Sequence, residues 1–296
     1  MRASTQRSKA QWLGELHREG DMLVLPNAWD GMSARVFEDC GFPAIATTSA
    51  GIAYAFGYPD GERLGRDEMV EATARIAGAV SVPVTADVEA GYGNRPEEVA
   101  ETAQAVIEAG AVGLNLEDVA DPEPPGRSTS TGKGNASPLV DLEEQLEKIR
   151  AIVEVGRTAG VPLVVNARTD VYWRGVGNAE GRFGKTVRRA NAFLQAGAGC
   201  VFVPGVRDTE TILALAREIP GPLNVLAGPG SPTTTELEAL GVRRVSVGSG
   251  PARAIMGLAR RMGRELLEEG TYVSLTEGAI TYAEANGLFA RPGGSR

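Results

Sequence analysis

Val84-Thr85-Ala86-Asp87-Val88-Glu89-Ala90-Gly91-Tyr92-Gly93-Asn94 decides how the chain is read. Behind Pro83 it opens as a short, largely β-branched run, the mark of a buried strand. Asp87 and Glu89 follow two residues apart, and in an extended chain side chains at that spacing point the same way. Gly91 and Gly93 then stop the strand and let the backbone turn close to a ligand. Two carboxylates at the carboxyl end of a strand suit a hard divalent cation such as Mg2+, against a plainer reading of two solvated loop acids.

The same rhythm recurs outward from this stretch. A helical segment ends at a glycine, as at Cys40-Gly41-Phe42, Ala109-Gly110-Ala111, Ala196-Gly197-Ala198 and Leu240-Gly241-Val242, and a short apolar strand follows. Other strands are entered through proline, at Pro83, Pro162 and Pro222. Strands are predicted at 22–25, 44–47, 84–86, 112–116, 163–167, 200–203, 223–226 and 244–247. Helices are predicted at 66–80, 96–109, 142–158, 185–196 and 252–269, among others. Eight strands with helices between them give a (β/α)8 TIM-type barrel. A doubly wound open sheet would need a phosphate fingerprint early on, and Gly91-Tyr92-Gly93 lacks the third glycine. The expected organisation is one barrel over 1–296, with 119–138 as an active-site lid loop and 270–296 as a C-terminal helical extension.

Composition narrows the chemistry. A net charge of −8 argues against a nucleic-acid partner, and no apolar run is long enough for a membrane span. The polar first ten residues lack a signal peptide's apolar segment, and the two cysteines give no disulfide framework, so a cytoplasmic location is expected. The single histidine, His17, excludes His-based zinc sites and Ser–His–Asp triads, and is itself expected on the surface. Cys40 and Cys200 read as core packing.

In a barrel the carboxyl ends of all strands meet at one face. That face would gather Asn27, Trp29 and Asp30; Thr48 and Ser49; Asp87 and Glu89; Glu117 and Asp118; Arg168 and Asp170; Asn224; and Ser249. Acids and an arginine converging there suggest a metal site beside an anion site. Segment 49–65 reads as a glycine-rich loop carrying Asp60, and 119–138, dense in Pro, Gly, Ser and Thr, as the lid.

In order and spacing, several motifs resemble the isocitrate lyase/phosphoenolpyruvate mutase superfamily. They are Pro26-Asn27-Ala28-Trp29-Asp30, Thr48-Ser49-Ala50-Gly51, Gly57-Tyr58-Pro59-Asp60, Ala86-Asp87-Val88-Glu89-Ala90-Gly91-Tyr92-Gly93, Leu116-Glu117-Asp118 and Asn166-Ala167-Arg168-Thr169-Asp170. The resemblance implies a Mg2+-dependent enzyme, with Mn2+ as a substitute ion, acting on small 2-oxo or 2-hydroxy carboxylates. It implies that Asp87 binds the metal while Asp60, Glu89 and Glu117 hold its water shell. Ser49 with the amides of Ala50 and Gly51 would receive the substrate carboxylate, and Arg168 would clamp its anionic end. Asp60, Glu117 and Arg168 are the catalytic candidates; a structural ion pair is the competing reading of Arg168. Trp29 reads either as core or as a wall of the substrate pocket, with the wall preferred, and Asn224 as a pocket hydrogen-bond donor. Asp118 and Asp170 read as loop braces. The resemblance also implies a homo-oligomer, tetramer or dimer, in which the eighth helix packs on a neighbouring barrel.

The chain departs from the superfamily's lyases in its lid, which lacks their Lys-Arg-Cys-Gly-His motif and holds neither Cys nor His. General acid–base help is worth about 10²–10⁴ in rate, so efficient isocitrate or methylisocitrate cleavage is not expected. Three functions stay open: a carbon–carbon lyase or hydrolase working through an enolate, a mutase or hydrolase acting on a C–P bond, and an oxo-acid-binding protein without catalysis.

Overall fold

The glycines that end the helices, Gly41, Gly110, Gly197 and Gly241, all take left-handed φ values between 91° and 105°. A side chain is rarely accommodated there, and each glycine turns its helix sharply into the next strand. The computed structural model describes residues 2–120 and 138–290. Its strands are β1 (Leu23–Leu25), β2 (Asn27–Ala28), β3 (Ile45–Thr47), β4 (Val84–Asp87), β5 (Gly113–Glu117), β6 (Val164–Arg168), β7 (Cys200–Val203), β8 (Leu223–Leu226) and β9 (Arg244–Ser246). All pair in parallel, in the order β1-β9-β8-β7-β6-β5-β4-β3-β2. Pro26 has no N–H to donate and splits one barrel position in two, so that β1 pairs with β9 and β2 with β3. The result is a nearly closed, eight-position barrel wrapped by helices, a TIM-type α/β fold.

The helix Arg2–Arg18 closes the end of the barrel where the strands begin. It lays Ala10 and Leu13 on Leu23, Leu25, Ala44, Ala46 and Val112. His17, expected on the surface, is buried instead at 1% exposure. Its Nδ1 lies 2.7 Å from the Leu13 carbonyl and must carry the proton, which leaves Nε2 to accept from Arg244 Nη1 at 3.4 Å. Burial, and then the Arg244 charge, push the His17 pKa down to about 3, so the ring is neutral. The sequence hid this because a lone histidine in a polar helix carries no mark of the arginine it will meet. Cys200 is buried as expected, but Cys40 is exposed at a helix end rather than in the core.

Segment 49–65 is not all loop, because Thr48 caps a short helix, Ser49–Ala55. Of the lid segment 119–138, residues 121–137 lie outside the described residues. Its two ends meet in an antiparallel bridge between Val119 and Leu139. Asp118 fastens this base. One carboxylate oxygen accepts from Arg189 Nε at 2.6 Å, while Arg189 Nη2 reaches the Val140 carbonyl at 3.1 Å. The C-terminal extension forms helices Val273–Thr276 and Tyr282–Phe289, and Arg35 Nε donates to the Leu288 carbonyl at 2.8 Å. Among the described residues no helix is long and apolar enough to cross a membrane.

Candidate active site

β4 ends at Asp87, and three neighbours fix that residue. Its N–H donates to Thr47 Oγ1 on β3 at 2.8 Å. Thr48 accepts the Gly51 N–H at 3.3 Å and so starts the helix Ser49–Ala55 at the carboxylate. Ser49 then donates to Asp87 Oδ2 twice, from its N–H at 3.0 Å and its hydroxyl at 2.9 Å. Asn115 Nδ2 approaches Oδ1 from β5 at 3.3 Å. Gly51 is needed because a Cβ there would stand 2.5 Å from Thr48 Cγ2 and 3.0 Å from Trp29 Cβ.

Past Asp87 the chain turns through two left-handed non-glycine residues, Glu89 at φ 52° and Tyr92 at φ 54°; a third, Glu62 at φ 51°, faces them. Each such residue costs about 1–3 kcal/mol unless its surroundings hold it. Reciprocal hydrogen bonds hold it here. Glu89 Oε2 accepts the Glu62 N–H at 2.6 Å, and Glu62 Oε1 accepts the N–H groups of Ala90 and Tyr92 at 3.1 and 3.2 Å.

Arg168, at the end of β6, is paired on two sides. Nη1 meets Glu117 Oε1 at 2.5 Å, and Nε and Nη2 meet the two oxygens of Asp170 at 2.6 and 3.1 Å. Asp170 is itself held by its N–H, which donates to Asp118 Oδ1 at 2.8 Å. The ion-pair reading of Arg168 therefore describes its contacts, and three of its five N–H donors are committed.

A cavity of about 210 Å³ opens among these groups. Ser49, Ala50, Asp60, Asp87, Glu89, Glu117 and Arg168 line it. Three other candidates do not. Trp29 packs on the hydrophobic core, Gly51 is buried in its helix, and fully buried Asn224 donates to Ser246 Oγ at 3.1 Å inside the barrel. The lining also holds residues that the sequence reading passed over: Asn115, Arg174, Arg207 and Arg253. Asn115 was open to detection, since it stands two residues before Glu117 as Asp87 stands before Glu89.

Crowded acids shape the electrostatics. Burial, then the charges of Asp60 and Asp87, push the Glu89 pKa up to about 8. Burial and Asp87 raise Asp60 in the same direction. Burial raises Glu117 well above the usual carboxylate range even with the Arg168 guanidinium opposing it. Burial works against the Arg168 charge, but Asp170 and Glu117 hold its pKa above the ordinary value. Among the described residues no three His, Cys, Asp or Glu side chains stand close enough to form a ready-made metal cage. The carboxylates of Asp60, Asp87, Glu89 and Glu117 on one cavity are hard oxygen donors, the chemistry that Mg2+ takes, few of them directly and the rest through water.

The sequence profile described as phosphoenolpyruvate phosphomutase matches residues 13–267. An uncharacterized Mycobacterium tuberculosis protein is 35% identical over 84% of this chain and 86% of its own length. An oxaloacetate decarboxylase from Pseudomonas entomophila is 29% identical over 91% of this chain and 90% of its own. A phosphonopyruvate hydrolase solved with oxalate and Mg2+ superposes with a TM-score of 0.80 at 26% identity, covering 95% of this chain and 94% of that one.

The Glu89 environment sets a pH test. A carboxyl held near 8 when folded, against an ordinary value of 4.5, binds more protons in the native state than in the unfolded chain between those values. Stability therefore falls as pH rises through that window. In divalent-free buffer, Glu89→Gln should be more stable than the parent at pH 8, by on the order of 2 kcal/mol, with little difference at pH 4. Parallel pH profiles of urea unfolding for the two proteins would contradict this.

Proposed function

The chain belongs to the phosphoenolpyruvate phosphomutase family of the isocitrate lyase superfamily, and on that premise we propose a Mg2+-dependent carbon–carbon lyase or hydrolase of small 2-oxo or 2-hydroxy dicarboxylates. One observation carries the reading: four carboxylates, Asp60, Asp87, Glu89 and Glu117, share a cavity with the Ser49 helix end and Arg168. Asp87 would hold the cation, with Asp60, Glu89 and Glu117 available to its water shell. When bound, Mg2+ supplies a Lewis acid that draws negative charge onto a 2-oxo group as the neighbouring bond breaks. With the Ser49 N–H and hydroxyl held by Asp87, the Ala50 N–H at the same helix start offers a donor to the substrate carboxylate. Arg168, fixed by Asp170, keeps two N–H groups for an anionic end.

The chain's acid–base repertoire limits the chemistry. His17 is neutral, buried and at the opposite end of the barrel. Cys200 is fully buried, with its thiol pushed up to about 12, and Cys40 lies on the outer surface of a helix end. A substrate whose departing fragment needs no strong acid, such as oxaloacetate, fits best. Phosphonopyruvate is the second reading, favoured by the four arginines that line the cavity.

The assay is a panel of oxaloacetate, methylisocitrate, dimethylmalate, phosphonopyruvate and phosphoenolpyruvate, each with Mg2+ and with EDTA. Oxaloacetate should turn over with Mg2+ and not with EDTA, methylisocitrate should turn over poorly, and Asp87→Ala should lower the rate by about 10²–10³. EDTA-insensitive turnover, or methylisocitrate cleavage at about 10 s⁻¹, would overturn the reading.

We propose in addition that a second copy of the chain covers the helix Gly250–Glu268. Only Ala252 of that helix is buried, while Ile255, Met256 and Leu267 are exposed at 47%, 50% and 86%. Light scattering at micromolar concentration should report a dimer or tetramer; a monomer would contradict it.

A further inference from the structure

Arg168 is held at the cavity by a chain of contacts that ends outside it. Its Nε and Nη2 donate to the two oxygens of Asp170 at 2.6 and 3.1 Å, the paired geometry that fixes the plane of a guanidinium. Asp170 is oriented in turn by its own N–H, which donates to Asp118 Oδ1 at 2.8 Å. The other Asp118 oxygen, Oδ2, accepts from Arg189 Nε at 2.6 Å. Arg189 belongs to the helix Ala179–Gln195 in the outer layer and does not line the cavity. Asp118 and Asp170 are wholly buried and Arg189 is 5% exposed, so water competes at neither joint.

Both ends of this chain are anchored. The Arg189 guanidinium lies 5.5 Å from the ring centroid of Phe193 on its own helix, and its Nη2 donates to the Val140 carbonyl at 3.1 Å. The Asp118 N–H donates to the Arg168 carbonyl at 3.1 Å, and the Asp118 carbonyl accepts the Val140 N–H at 2.9 Å. Asp118 therefore supports Arg168 twice, at its backbone directly and at its side chain through Asp170. A carboxylate whose two oxygens serve different elements cannot rotate without breaking both contacts. If Arg189 is lost, Asp118 keeps a buried charge without its partner, and the simplest relief is a shift of that carboxylate and of the Asp170 N–H with it. A displacement of about 1 Å in a group that holds a ligand is enough to weaken its action severely.

We propose that Arg189 is a positioning residue of the site: acting through Asp118 and Asp170, it sets the plane from which the uncommitted N–H groups of Arg168 meet an anionic ligand. The inference rests on the reading of Arg168 as the partner of the ligand's anionic end, and extends it to a residue that never touches the ligand. Asp87 is held separately, by Ser49 and Asn115, so cation binding does not depend on Arg189.

The test measures oxalate affinity by calorimetry at saturating Mg2+, and Mg2+ affinity in a separate titration without oxalate. Arg189→Lys keeps a positive charge against Asp118 but loses the planar fork that serves Asp118 and Val140 together. Arg189→Met removes charge and fork, and where it fails to fold Arg189→Lys decides the question. Circular dichroism and urea unfolding report whether each variant is folded. Arg189→Lys should bind oxalate about tenfold more weakly, within the range of such indirect couplings, while its Mg2+ affinity stays within about twofold of the parent. An unchanged oxalate affinity in folded Arg189→Lys overturns the inference. An equal loss of Mg2+ affinity, the mark of general damage, overturns it as well. Arg168→Lys alone should weaken oxalate binding, and adding Arg189→Lys to it should cost nothing further. Fully additive losses would place Arg189 outside the Arg168 unit and reject its positioning role, with the reading of Arg168 still standing. If Arg168→Lys alone leaves oxalate affinity unchanged, or the parent binds no oxalate, the reading of Arg168 fails and the role of Arg189 falls with it.

Discussion

Four carboxylates held near one another at the end of a barrel are the constraint on which the site depends. Two like charges about 4 Å apart repel by about 4 kcal/mol at the effective dielectric of a protein surface. Burial first, and then the charges of neighbouring carboxylates, raise the pKa values of Asp60 and Glu89, and burial raises Glu117 against the opposing Arg168 charge. The fold spends structure to keep them there. It commits the Ser49 helix end and Asn115 to Asp87, and it ties two left-handed turns together through Glu62 and Glu89.

Beneath the cluster the barrel interior is polar. Asn115 accepts from Asn166 Nδ2 at 2.7 Å and from Arg244 Nη2 at 3.4 Å. Arg244 is wholly buried, and burial pulls its pKa down to about 10. Its Nη1 meets the neutral ring of His17 and its buried Nε has no hydrogen-bond partner among the described residues, so a positive charge inside the barrel is met by neutral acceptors alone. That charge lies within electrostatic reach of Asp87, which connects the helix that closes the bottom of the barrel to the site at its top.

The barrel was legible because its punctuation is local. Gly41, Gly110, Gly197 and Gly241 mark helix ends through their own backbone requirements, and all eight predicted strands are present, displaced by at most one residue at either end. Asp87, Glu117 and Arg168 were legible because they end strands, where period-two geometry fixes their direction; Glu89 reaches the cavity from a left-handed turn beyond β4 instead. What depends on partners distant in sequence was not legible. His17 is buried by Arg244, more than two hundred positions away, and Glu62 works through a turn that no propensity encodes. Trp29 and Asn224 face the core and the barrel interior because small rotations of the chain decide between cavity and core. Arg207 and Arg253 lie beyond strand ends, on segments whose direction no periodicity sets.

The measurement that bears most directly on the central claim is the affinity for oxalate, a planar dianion shaped like the enolate of a 2-oxo acid, with and without Mg2+. If the acid cluster is a site for a hydrated cation that helps hold such an anion, binding should be at least about tenfold tighter with Mg2+ than with EDTA, and Asp87→Ala should abolish the difference. Equal affinity in the two buffers would contradict the account.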